Sequence, residues 1–170
     1  MSQAVEIYEE TSLPNPLDSV EDVLSDNNWI YSRMNNEELI VDVAGSVFSY
    51  RIFFIWQEHM NGLQIMCQYD KEVADNNMEL AAESVMQLNR SLWMGHFEIN
   101  AQKNAPCFRY TTILHDRKNK DHVYNNINDI VDICLAQCEQ HQGVFQMLCA
   151  TDTLDIRSLS LAMMETVGES

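Results

Sequence analysis

Apolar residues along this chain fall first at a helical period and then at a period of two. Leu17, Val20 and Leu24 lie on one helical stripe behind Asn15, which can cap the helix. Pro16 suits the first helical position and Asp18 complements the helix N-terminus, so the pattern predicts a helix opening at Asn15. The segments "WIYSRM" and "ELIVDV" flank Asn35 and Asn36, with Leu39, Val41 and Val43 alternating against Glu38, Ile40 and Asp42. They predict a strand pair. "VFSYRIFFIWQ" is apolar on both parities, with Phe48, Tyr50, Ile52, Phe54 and Trp56 on one side and Val47, Phe53 and Ile55 on the other. A strand of that kind is expected to be covered on both faces. Asn61 and Gly62 suggest a tight hairpin turn, from which "LQIMCQY" returns antiparallel.

The period then reverts to helical. Met78, Ala81, Val85, Leu88 and Leu92 form a stripe that predicts an amphipathic helix lying on the sheet. Two strands follow, over about 93–99 and 106–114. Val123, Ile127, Ile130, Val131, Cys134, Leu135 and Cys138 then mark a long helix, with Gly143 as its expected C-terminal cap. "VFQMLCA" and "TLDIRSLSLAMMETV" read as further helix, with Gly168 past the end. The expected architecture is α+β, an antiparallel sheet with helices packed on it in the order α-ββββ-α-ββ-αα. Residues 1–14, acidic and aperiodic, are expected to be a mobile tail, and 15–170 a single domain. Trp56, Phe97, Val131 and Leu135 are expected in the core.

Charge changes the picture more than composition does. There are 26 acidic residues against 10 basic ones, a formal net charge of −16. Such a field repels nucleic acid and anionic membrane surfaces, so neither is expected as a partner. The basic knot Arg117, Lys118 and Lys120 reads as a solvated turn. The N-terminus lacks a basic start and an apolar leader, and the five cysteines form no CxxC pair; both features suit a reduced, cytoplasmic setting. Ten methionines are a surplus that suits an adaptable binding surface.

Candidate chemistry is sparse. On the strand around residue 96, Trp93, Phe97 and Ile99 share one parity, and Met94, His96 and Glu98 the other. Phe108, Tyr110, Thr112 and Leu114 oppose Cys107, Arg109, Thr111 and Ile113 on the next strand. If the aromatic faces coincide, His96, Glu98 and Arg109 meet on the outward side, and with Met94 they form the candidate partner-binding surface. "HFE" followed by "PCFRY" resembles a zinc-deaminase signature, but Tyr110 stands where its second cysteine is needed and both segments read as strands. Cys134, Cys138 and His141 are spaced as ligands could be, yet the two cysteines belong to the apolar stripe. There is no G-x-S-x-G, no H-E-x-x-H and no Gly-rich phosphate loop, with only five glycines in the chain. The residues thus suggest a cofactor-free, metal-free binding module without catalytic residues; a small hydrolytic or metal-dependent enzyme built on His96, Glu98 and Arg109 is the alternative.

The segments "NPLDSVEDVL", "RMNNEELIVDVAG", "YRIFFIWQE", "LNRSLWMGHFEI", "PCFRYTTIL", "DIVDICLAQCEQ", "VFQML" and "METVGES" together resemble the YbjN-domain family in its alphaproteobacterial form, in matching order over nearly all of 15–170. The resemblance implies a fold like that of type III secretion chaperones, which are small α+β dimers that hold a segment of a partner. It also implies a sensory-transduction regulator, a homodimer with a protein partner, and no catalytic residues.

Overall fold

A computed structural model describes residues 12–167. Most of the expected tail and Gly168 therefore lie outside the described residues. The first helix, α1 (Pro16–Asp26), begins where its cap dictates: Asn15 Oδ1 accepts from the Leu17 N–H at 2.9 Å, and Pro16 occupies the first turn. Its stripe of Leu17, Val20, Val23 and Leu24 is buried.

Strands β1 (Tyr31–Arg33), β2 (Glu38–Ala44), β3 (Ser49–Gln57) and β4 (Gly62–Tyr69) follow. After helix α2 (Met78–Asn89) come β5 (His96–Ile99) and β6 (Pro106–Ile113). They form one antiparallel six-stranded sheet in the order β1-β2-β3-β4-β6-β5. The chain closes with α3 (Lys120–Gln140), α4 (Gln142–Cys149) and α5 (Ile156–Val167). The segment after β6 thus yields three helices instead of two. The long helix does not end on Gly143: it stops at Gln140, His141 forms the joint, and Gly143 lies inside α4.

On β2 and β3 period-two alternation translates directly into burial. Leu39, Val41, Tyr50, Ile52, Phe54, Trp56, Leu63, Ile65, Cys67 and Phe108 form the inward face, joined in the core by α1 and by Val123, Ile127, Val131, Cys134 and Cys138 of α3. Trp56, Phe97 and Val131 are buried as expected, whereas Leu135 is half-buried at the margin of the core. The hairpin between β3 and β4 is wider than two residues. Gln57 pairs with Gly62 across Glu58–Asn61, and Asn61, not Gly62, takes the left-handed conformation at φ 48°.

The expectation that β3 is covered on both faces is corrected. Phe53 and Ile55 are only half-buried and stand outside the core, because the packed helices occupy the opposite side of the sheet. Arg117 is a second correction. It is 4% exposed, not part of a solvated turn: its guanidinium lies over the Trp56 ring at 5.0 Å and donates to both carboxylate oxygens of Glu58, at 2.7 and 3.2 Å. The same group donates to the Pro14 carbonyl at 3.2 Å, tying the end of the expected tail to the fold. Lys118 and Lys120 are exposed.

Candidate functional site

Glycine 95 decides where the candidate residues go. It adopts φ 69°, a left-handed conformation that breaks the expected strand and lets β5 begin only at His96. A Cβ there would run into the Phe108 ring and sit 2.9 Å from the Arg109 carbonyl oxygen, so only glycine brings the backbone this close to β6. Trp93 therefore does not share the Phe97 face. It is 98% exposed, outside the sheet.

From His96 onward the alternation holds. His96 pairs with Arg109 and Phe97 with Phe108, so the aromatic faces coincide and Phe97 is buried against Phe108 at 5.0 Å between ring centroids. His96, Glu98 and Arg109 consequently meet on the outward side. Arg109 Nη2 donates to Glu98 Oε1 at 2.5 Å, and His96 Nε2 lies 3.6 Å from Glu98 Oε2. Met94, expected beside them, is separated by the kink. It lies before β5, and its sulfur accepts from the Tyr110 hydroxyl at 3.5 Å, on the parity opposite to Arg109.

Beneath the ion pair lies Cys107, the register partner of Glu98, whose thiol is pushed up to about 12, first by burial and then by the Glu98 charge. A thiol so raised stays protonated and is a poor nucleophile. Glu98 itself is committed to Arg109. The cluster is thus a carboxylate–guanidinium pair with a half-exposed imidazole beside it.

The rim borders a wider surface. Reading the register across the sheet, Ile40, Phe53, Met66, Arg109 and His96 stand in one row on the outward face, with Ile55 in the next outward row and Ile113 in the one beyond it. Asp42 and Arg51 flank that row at the other end of the face, joined by two hydrogen bonds of 2.8 and 3.0 Å. On β3 this surface is made by the second apolar parity, Phe53 and Ile55, which the sequence sets beside the inward Tyr50, Ile52, Phe54 and Trp56.

The free edge of β5 is closed by a side chain. Asn89, at the end of α2, accepts from the Phe97 N–H at 2.7 Å and donates to the Phe97 carbonyl at 3.0 Å, imitating a neighbouring strand. Nothing in the local sequence marks this residue for that role. Its actual partner is eight residues away.

The expected apolar reading of Cys134 and Cys138 holds, since both are fully buried, with the Cys134 thiol raised by burial. His141 is buried as well, with its ring 5.1 Å from Phe97 and Nδ1 donating to the Gln137 carbonyl at 2.9 Å. Burial holds this imidazole below its ordinary value, against the opposing effect of the Gln137 carbonyl. The folded state therefore keeps it neutral while the unfolded chain takes up a proton below about pH 6.5. Its stability contribution is complete above that pH and declines as the solution is acidified. Melting temperature is expected to drop between pH 7 and pH 5, with a smaller drop for His141→Gln; equal slopes for the two proteins would remove His141 as the cause.

No helix among the described residues is long and apolar enough to cross a membrane. Comparison with known proteins adds a family. The model of YbjN, described as a putative bacterial sensory transduction regulator, matches residues 16–147. The crystal structure of YbjN, a putative transcription regulator from E. coli, is similar with a TM-score of 0.50 and 14% sequence identity, over 77% of this chain and 97% of that one. None of the curated proteins matches the chain.

Proposed function

The chain belongs to the YbjN family, and from that premise we propose that it is a cytoplasmic, non-enzymatic regulatory module that binds a protein partner. On this reading it acts as a homodimer, in the manner of an adaptor or chaperone, and needs no cofactor. The observation that carries the reading is the outward sheet face, apolar at Ile40, Phe53 and Met66 and bordered by the Glu98–Arg109 pair. An apolar centre inside a polar, charge-paired rim is the anatomy of a protein-binding surface. An enzymatic alternative that moves a proton through Glu98 is opposed by Arg109, which holds that carboxylate.

Regulation by this chain is then exerted through protein contacts instead of through DNA. A net charge of −16 opposes approach to a phosphate backbone. Two measurements test the reading. Affinity capture from the source cell with mass spectrometry is expected to return a protein partner that is lost or weakened with Arg109→Ala, since truncation leaves the Glu98 carboxylate unpaired at the rim. Titration with DNA or RNA at physiological salt is expected to give no binding; tight, salt-resistant nucleic-acid binding would reject the proposal.

A further inference from the structure

We propose that the outward face of the sheet is where two copies of this chain meet, face to face, around Phe53. The inference rests on the homodimer of the preceding section and names its surface, which a foreign partner then takes only by displacing the second copy. Helices pack against the Ile52 and Ile65 side, leaving Ile40, Phe53, Ile55, Met66 and Ile113 on the other. Two features select a second copy as the occupant.

The first is charge. Two chains of net charge −16 repel one another over most orientations. The strands of this face escape that repulsion: Glu38, Asp42 and Glu98 are accompanied by Arg51 and Arg109, and His96 stands beside them. The apolar centre is flanked by the Asp42–Arg51 pair toward β2 and by the Glu98–Arg109 pair toward β5. Each flank therefore offers both a carboxylate and a guanidinium. A two-fold partner brings the same mixed flanks, so it can exchange ion pairs where a uniformly acidic surface would be rejected. A strongly basic partner would gain more by binding elsewhere on the chain.

The second is size. Six strands about 4.8 Å apart, seven to nine residues long at about 3.4 Å each in the centre, span roughly 700 Å². A specific interface buries about 800 Å² per partner, so this face alone approaches what a stable dimer requires. Face-to-face packing of two such sheets, about 10 Å apart, would also bury the half-exposed Phe53 and Ile55.

Sedimentation velocity and light scattering on the full chain at about 50 µM provide the test, because dimer population depends on protomer concentration. The wild type is expected near twice the chain mass of 19.7 kDa. Phe53→Asp places a carboxylate at the centre of the face and should weaken self-association by about 100-fold or more. It should run as a monomer with an unchanged far-UV circular dichroism spectrum. Ile40→Glu serves as the second variant should Phe53→Asp not fold, and Leu161→Asp on the exposed side of α5 should remain dimeric. If both face variants stay dimeric, the homodimer stands and this surface is wrong. A monomeric wild type removes the dimer and its surface together, while leaving the binding of a foreign protein to be judged by affinity capture.

Discussion

Valine at position 95 is expected to destabilise the fold by about 2–5 kcal/mol, the sum of a left-handed conformation forced on a β-branched residue and a side chain driven into an occupied space. Both contributions are local. Gly95 has φ 69°, and an added Cβ meets the Phe108 ring and the Arg109 carbonyl oxygen, neither of which is a free side-chain end. Phe108 cannot retreat, because it is fully buried against Phe97. For a domain of this size about 1 kcal/mol shifts the melting temperature by roughly 2–4 °C, so a fall on the order of 10 °C is anticipated. Gly143 supplies the contrast: it lies within α4, and a Cβ there meets nothing within 4 Å. Gly143→Ala should therefore stabilise by about 0.5–1 kcal/mol through helix propensity. Similar melting temperatures for Gly95→Val and wild type would show that the kink at residue 95 does not position β5.

Local rules carried much of the fold. The Asn15 cap and Pro16 locate α1, and alternation on β2, β3 and β6 assigns every inward residue from Leu39 to Phe108 correctly. The outward grouping of His96, Glu98 and Arg109 was also legible, because two aromatic strands in register leave one arrangement for the remaining parity. What escaped the sequence depends on partners distant along the chain. Arg117 sits among Asp116, Lys118 and Lys120, where a linear window sees only a polar turn; its burial comes from Trp56 and Glu58, about sixty residues earlier. Conformational breaks were the other loss. The strand pattern runs through Gly95 and so misplaces Trp93 and Met94, and the helical pattern suggests a stop at Gly143 although helix resumes at Gln142. Glycine marks freedom without specifying its use, and neighbouring tertiary contacts decide.

Adjacent residues on β5 provide the sharpest test of the face assignment. Phe97→Ala removes a ring packed on Phe108, Phe145 and His141, with centroids 5.0, 5.1 and 5.1 Å away. A cavity between β5, β6 and α4 cannot close easily, since Asn89 fixes the Phe97 backbone on one side and Gly95 holds it on the other. The expected loss is about 3–5 kcal/mol. His96→Ala, one residue earlier, removes only a half-exposed ring 3.6 Å from Glu98, and exposed ion pairs contribute about 0–1 kcal/mol. Its effect should appear in association instead, through the rim of the outward face. Urea unfolding of the two variants, fitted with a common slope, measures the difference. Should the two substitutions cost the same, the assignment of Phe97 to the core and His96 to the outward face would fail, and with it the separation of the helix-packed side of the sheet from its open side.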